Sequence, residues 1–168
     1  AAHLDYDLAL TTESRNGTEL AKTAVSEGYT AVVAAGGDGT ISEVANGLIT
    51  AVSDNEPTLP LGILPIGSAN DLAKMMGLPL DLGTAAQLIA NGNTRQFDAG
   101  RIQYDGKTHY FDNNSAIAME PMITLEHMKI HRISGEARYY LALVKGVIKL
   151  KAWQMSITWD DGEYVGPT

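Results

Sequence analysis

Residues 31–51 read Ala-Val-Val-Ala-Ala-Gly-Gly-Asp-Gly-Thr-Ile-Ser-Glu-Val-Ala-Asn-Gly-Leu-Ile-Thr-Ala, and no other stretch leaves the chain so few choices. Residues 31–35 are small or apolar with two β-branched members, the pattern of a short buried strand. Gly36, Gly37 and Gly39 follow, where a turn can use the freedom of glycine at positive φ. Ile41, Val44, Ala45, Leu48, Ile49 and Val52 then recur at helical spacing and give a helix one apolar face. Thr40 and Glu43 have the spacing of a capping box, which places the helix start there. A strand, a glycine turn and a helix start leave backbone N–H groups pointing out of the turn, where a phosphate can sit.

Asp38 stands inside that turn, and its carboxylate would repel a phosphate. The conflict disappears if Mg²⁺ lies between the two, because the ion neutralises both. Alternatively, Asp38 only hydrogen-bonds the turn or a helix N-terminus. Spacing alone leaves both readings open.

The rest of the chain extends the strand–turn–helix pattern. Residues 7–10 read as a short strand, 11–17 as a polar loop and 18–27 as a helix with Leu20, Ala21, Ala24 and Val25 inward, ending at Gly28. After a polar connection, residues 61–66 form an apolar strand broken by Pro65. It runs into Gly67, Ser68, Ala69, Asn70 and Asp71, then a helix over 72–76 stopped by Gly77 and Pro79. Alternating units of this kind imply a parallel sheet with helices packed on it, and turns at the carboxyl ends of its strands form the usual binding edge. Asp38 and the 68–71 turn would then face one cleft, unless Ser68 or Asn70 merely caps its helix. Another short helix covers 81–90.

Beyond residue 97 the pattern changes. Residues 100–111 read as a hairpin around Asp105-Gly106, a dipeptide favoured by two-residue type I′ turns, with 111–118 as an extension of its second strand. Pro121 disfavours one continuous helix over 119–133. Residues 134–150 are helical with a broad apolar stripe, 153–159 alternate as a strand, and Asp160, Asp161 and Gly162 turn the chain. The expected organisation is therefore an α/β domain over 1–96 and a β-rich domain over 97–168.

The chain has 168 residues, of which 45% are hydrophobic and 19% charged, enough to bury a core. Cysteine is absent, which excludes disulfide scaffolds and thiolate metal sites. No apolar run is long enough to span a bilayer, and residues 1–7, with His3, Asp5 and Asp7, do not read as a secretory leader. His127 and His131 are four apart without a third ligand at a zinc spacing. A net charge of −8 argues against nucleic-acid binding by broad phosphate neutralisation. Charge is unevenly spread, however. Lys129, Arg132, Arg138, Lys145, Lys149 and Lys151 are half of the 12 basic residues, with Glu136 the one acid among them. The segment reads either as a solvated helix face or as a patch for an anionic membrane, worth about 1 kcal/mol per nearby basic residue.

Gly36-Gly37-Asp38-Gly39-Thr40 together with Gly67-Ser68-Ala69-Asn70-Asp71-Leu72-Ala73 resembles the catalytic domain of diacylglycerol kinases, the bacterial diacylglycerol and YegS-like lipid kinases included. Sphingosine and ceramide kinases are more distantly similar. The first motif alone is shared with NAD kinases and loosely with phosphofructokinases; the second separates the lipid kinases from them. The resemblance covers essentially the whole chain and implies an α/β, NAD kinase/diacylglycerol kinase-like fold, in which a parallel-sheet nucleotide domain precedes the incomplete start of a β-rich second domain.

The resemblance also implies an ATP site. Thr11 would lie near the nucleotide. Gly36, Gly37, Asp38, Gly39, Thr40, Ile41, Ser42 and Glu43 correspond to the loop and helix start that hold the phosphates, with Asp38 near the γ-phosphate and bound to Mg²⁺. Ser68 replaces the family's usual threonine and keeps its hydroxyl. Asn70 and Asp71 would organise the same cleft, and Asp98 would supply a structural hydrogen bond near the domain junction. This chain starts after the family's first strand and Asn-Pro-x-Ser-Gly-like loop, and the family's acid–base residue lies beyond Thr168. Asp161-Gly162-Glu163 has the letters of that later segment but comes too early. Residues 116–120 carry Ala116 and Ala118 where the family's second-domain strand has glycines. The expected function is phosphoryl transfer from ATP to a lipid alcohol in phospholipid metabolism, in the cytoplasm or at the inner face of its membrane, with this chain alone inactive. The alternatives are an NAD kinase-like enzyme with a soluble substrate and a nucleotide-binding regulatory module without activity. An unpaired edge in the β-rich part would admit an oligomer.

Overall fold

Two apolar runs pair in parallel at the centre of the first part of the chain. In the computed structural model, which describes residues 4–12, 16–53, 56–116, 119–131, 133 and 135–167, β1 (Val32–Gly36) lies beside β2 (Leu61–Pro65), with Val32 opposite Leu61 and Gly36 opposite Pro65. Pro65 has no N–H to give and falls on the last rung, where its cost to the ladder is least. Four helices accompany this ladder: α1 (Asn16–Ser26), α2 (Asp38–Thr50), α3 (Asp71–Met75) and α4 (Leu82–Ala90). Asp81 caps α4 by accepting from the Thr84 N–H at 2.9 Å. The core joins Ala21 of α1, Ala34 of β1, Ile41, Val44 and Leu48 of α2, Ile63 of β2, and Leu72 and Ala73 of α3. Thus the faces that periodicity predicts as inward are inward, and α2 and α3 are anchored by their own apolar residues.

A hairpin, β3 (Gly100–Tyr104) and β4 (Lys107–Phe111), follows in antiparallel register. Asp105 and Gly106 both have positive φ, 48° and 71°, as its type I′ turn requires. Asn46 of α2 holds this hairpin: its Oδ1 accepts from the Tyr110 N–H at 2.9 Å, and its Nδ2 donates to the Tyr110 carbonyl at 2.7 Å. By packing, the chain divides into two compact units, Ala1–Asn114 and Ser115–Thr168. The hairpin therefore lies in the same unit as the α/β part, past the 96/97 boundary expected from the sequence.

The second unit contains α5 (Met119–Lys129), α6 (Glu136–Lys149) and the antiparallel hairpin β5 (Gln154–Trp159) and β6 (Gly162–Pro167). Pro121 does not prevent α5, because it sits in the first turn, where a missing N–H costs nothing. Glu126, 6% exposed, ties the two helices by accepting from Lys129 at 2.8 Å and Lys149 at 2.9 Å.

Several expectations are corrected. Residues 7–10 do not form a strand: Leu8 and Leu10 are 76% and 73% exposed, and no backbone ladder pairs them. Alternation favours a strand only when a neighbouring strand takes up its N–H and C=O groups. The expected capping box at Thr40 is absent as well. The helix begins earlier, at Asp38, and Glu43 points away to accept from the Gly17 N–H of α1 at 3.1 Å. Residues 112–116 carry no strand. Met119 and Glu120 open a helix rather than continuing the family's strand; Ile117 and Ala118, like Ser134, Arg132 and residues 13–15, lie outside the described residues.

Candidate functional site

The two glycine turns meet. Gly37 and Gly67 lie backbone to backbone, so that a Cβ on Gly67 would fall onto the Gly37 Cα. Neither they nor Gly36 nor Gly39 has positive φ, which corrects the expected reason for these glycines. Gly36 is needed because a Cβ there would strike the Thr40 side chain, and Gly67 because the turns touch. Gly39 differs from both: it is exposed, and nothing lies within 4 Å of where its Cβ would be.

The first helical bond of α2 runs from the Ile41 N–H to the Gly37 carbonyl at 3.1 Å. The N–H groups of Asp38, Gly39 and Thr40 precede it and have no helical acceptor, so the positive end of the helix faces the open space at Gly39. Asp38 bridges the motifs: its Oδ1 accepts from the Leu72 N–H of α3 at 3.0 Å. Partial burial would raise the Asp38 carboxyl, but the N–H groups of Leu72, Asp71, Asp38 and Asn70 outweigh it and hold the group below its ordinary value. Asp38 is therefore an ionised carboxylate at the seam of the two turns.

Asn70 shapes the second turn from inside. It is left-handed, with φ 54°, and its Oδ1 accepts from the Gly67 N–H at 2.9 Å while its Nδ2 donates to the carbonyls of Gly67 at 2.8 Å and Pro65 at 3.3 Å. The side chain braces the turn and does not cap α3. Ser68 is exposed, and its hydroxyl has no hydrogen bond among the described residues. Asp71 is exposed and lies 3.8 Å from Lys74.

The other expected site residues lie elsewhere. The Ile41 side chain is fully buried in the core and its N–H is spent within α2, so it offers a ligand nothing. The Ser42 carbonyl accepts from Asn46, and Glu43 holds α1. Thr11 is exposed in the irregular segment 4–12, which hydrogen-bonds to neither turn among the described residues. Asp98 is exposed and makes no hydrogen bond among the described residues, against the structural bond expected of it.

Two residues at this edge of the unit were not singled out from the sequence. Asn46 is a buried amide on an otherwise apolar helix face. A polar residue between Val44 and Leu48 was the available signal. Asp112, just past β4, is half-buried with an Oδ2 that has no hydrogen-bond partner. Burial pushes its carboxyl up, and the charge of Asp38 raises it further. Nothing in the local sequence points to it.

Oxygen-only ligation suits Mg²⁺, which takes one or two carboxylates and completes its shell with phosphate oxygens and water. The ionised Asp38 and the orphaned oxygen of Asp112 fit that donor set. Among the described residues no group of three or more His, Cys, Asp or Glu could hold a metal ion.

The family model for the diacylglycerol kinase catalytic domain matches residues 1–102. The chain belongs to this family. A diacylglycerol kinase of Bacillus subtilis (strain 168) is 34% identical over 158 residues, 93% of this chain and 50% of the relative. One from Staphylococcus saprophyticus is 33% identical over 150 residues, 89% of this chain and 46% of the relative. Among solved structures, a diacylglycerol kinase from Bacillus anthracis str. Sterne superposes with a TM-score of 0.61 at 25% identity, over 94% of this chain and 50% of that one. This family member thus has the NAD kinase-like α/β fold and spans about half the length of the curated relatives it matches. Among the described residues, no helix is long and apolar enough to cross a membrane.

Proposed function

We propose that the chain carries the ATP-binding part of a lipid kinase that transfers phosphate to a diacylglycerol-like alcohol. The observation that carries this reading is the open space at Gly39, beside the Gly39 and Thr40 N–H groups that α2 leaves without an acceptor and next to the contact between the two turns. Triphosphate oxygens would accept from those N–H groups and from the Ser68 hydroxyl, while the bare Gly39 lets the backbone approach closely. Phosphoryl transfer asks the protein mainly to position and to neutralise charge. Mg²⁺ bound at Asp38 would supply that neutralisation between phosphate oxygens. The names of the relatives and the second motif favour a lipid acceptor over a soluble one such as NAD.

The second unit offers a face for the membrane in which such a substrate resides. Tyr140, Val144, Val147 and Ile148 of α6 are 51–77% exposed and recur at helical spacing. Lys145 and Lys151 near them have no ion pair among the described residues, whereas Lys129 and Lys149 are spent on Glu126, and Arg138 donates to the His127 carbonyl. An apolar helix face flanked by lysines suits the interface of an anionic bilayer.

Calorimetric titration of this chain with Mg·ATP tests the site; saturable binding is expected, and its absence would refute the reading. In a protein of the relatives' length that carries this chain, labelled ATP offered with diacylglycerol micelles and in parallel with NAD should label the lipid alone. Label in NAD would move the assignment to the soluble-substrate class. Sedimentation with anionic and neutral liposomes tests the α6 face, and binding indifferent to lipid charge would remove the electrostatic part.

A further inference from the structure

The far end of α2 borders a cavity that the glycine turns do not share. Ile49 and Val52 give it an apolar wall, and Ser53, Glu56 and Thr58 of the connection to β2 give it a polar one. Arg101 of β3 and Tyr110 of β4 close it around about 470 Å³, a volume suited to a small molecule. Ile49 lies ten residues along α2 from Gly39, roughly 15 Å of helix, so the two openings are separate.

The cavity is braced from inside. Asn46, 8% exposed, stands one turn before Ile49 and holds Tyr110 by both backbone groups, donating to its carbonyl at 2.7 Å and accepting from its N–H at 2.9 Å. Tyr110 pairs with Arg101 across the hairpin, so one buried amide sets where both residues stand against α2. A buried polar side chain with its partners in place specifies one arrangement. The groups lining the cavity are meanwhile not spent on each other. Glu56 is engaged with its own turn: its Oε2 accepts from the Ser53 N–H at 3.2 Å, and its N–H donates to the Ser53 carbonyl at 3.0 Å. The Arg101 guanidinium and the hydroxyls of Ser53, Thr58 and Tyr110 have no hydrogen-bond or ion-pair partner among the described residues.

A guanidinium is a planar fork matched to phosphate or carboxylate oxygens. With three hydroxyls lining the same cavity, there are more donors than the two oxygens of a carboxylate need, and a phosphate brings a third terminal oxygen for them. The other oxygen of Glu56 can accept from hydroxyl groups of a ligand, and Ile49 and Val52 can cover a short carbon skeleton. We propose that this cavity binds a small, water-soluble phosphomonoester of a polyol, with its phosphate on Arg101 and its hydroxyl groups against Glu56. The site is separate from the Mg·ATP reading and does not depend on it.

Calorimetric titration with glycerol 3-phosphate tests it in the wild type, Arg101→Gln, Arg101→Lys and Gly39→Ala. Saturable binding to the wild type is expected, weakened at least tenfold by Arg101→Gln, because hydrogen bonds between charged groups are lost. Arg101→Lys should fall between the two, since the charge stays and the fork goes. Gly39→Ala should bind the ester as the wild type does. Arg101 is exposed and unpaired among the described residues, so its variants should melt with the wild type, and a melt on each sample separates lost affinity from lost structure. Dibutyryl phosphatidate carries the same phosphate with its glycerol hydroxyls esterified, as a lipid headgroup does, and should bind more weakly than glycerol 3-phosphate. No saturable binding to the wild type, equal affinity in Arg101→Gln, or a loss in Gly39→Ala would each overturn the site; tighter binding of the acylated form would overturn the polyol assignment. A wild type that binds the ester but not Mg·ATP would uphold this site and remove the other.

Discussion

Gly39→Ala separates what packing needs from what a ligand needs. Gly39 is the second residue of α2, its φ is not positive, and a Cβ there would meet nothing within 4 Å. A methyl group should therefore cost the folded chain nothing. Alanine in place of glycine also reduces the entropy lost on helix formation, a gain of up to about 1 kcal/mol in a helix interior and less in a first turn. For a chain of this size that corresponds to a melting temperature unchanged or raised by roughly 2–4 °C. Phosphate oxygens, by contrast, must come within about 3 Å of the N–H groups beside that methyl, and the space it fills is the space they would use. A loss of at least tenfold in Mg·ATP affinity, about 1.4 kcal/mol, is expected. Thermal melts with and without Mg·ATP, with calorimetric titration beside them, read both quantities on one sample: the variant should melt as high as the wild type alone and gain much less from the ligand. Wild-type affinity would refute the seat of the phosphates. A variant that melts well below the wild type would refute the claim that residue 39 is free of packing.

Gly67→Ala should do the reverse, because its methyl meets the Gly37 backbone, which cannot step aside; overpacking of this kind costs about 1–3 kcal/mol or more, and a denaturant midpoint equal to the wild type would contradict the contact between the turns. Asp38→Asn should keep its oxygen on the Leu72 N–H and melt within a few degrees of the wild type, yet lose Mg·ATP binding, whereas Asp38→Ala should lose the cap as well, at about 1 kcal/mol. In the second unit, Lys129 and Lys149 hold the Glu126 carboxyl down from its ordinary 4.5 to about 2. Because the folded value is the lower one, the stabilisation is complete above pH 4.5 and disappears as pH falls through about 2. Acid titration followed by circular dichroism should show helix loss in that window in the wild type and a flatter profile in Glu126→Gln; identical profiles would remove the pair from the account.

The elements that were legible in the sequence are those whose signal is local. Residues 31–50 announce strand, turn and helix because Val32, Val33 and the Ile41–Val44–Leu48 stripe carry their own periodicities, and Asp105-Gly106 specifies its hairpin turn unaided. What escaped depends on partners far along the chain. Residues 7–10 have a strand's alternation but no ladder to join. Glu43 has the right spacing from Thr40 for a box, yet the Gly17 N–H of another helix is the acceptor's actual target. The sequence suggests torsional freedom for the glycines, whereas Gly36, Gly37 and Gly67 serve close approach, which appears only when two turns are in one place. The same holds for the candidate site. Asp38 and the 68–71 turn are visible as motifs, while Ile41, part of the loop and helix start that the resemblance implies, has its side chain in the core. Asn46 meets Tyr110 through a hairpin that no short window contains.

The Leu72 amide proton hangs from Asp38 across the seam of the two turns, so it doubles as a gauge of whatever that carboxylate is doing. Any ion that rotates or draws away the oxygen loosens the first turn of α3, and deuterium uptake at one amide, thirty-four positions downstream, would register occupancy without a label on the ligand.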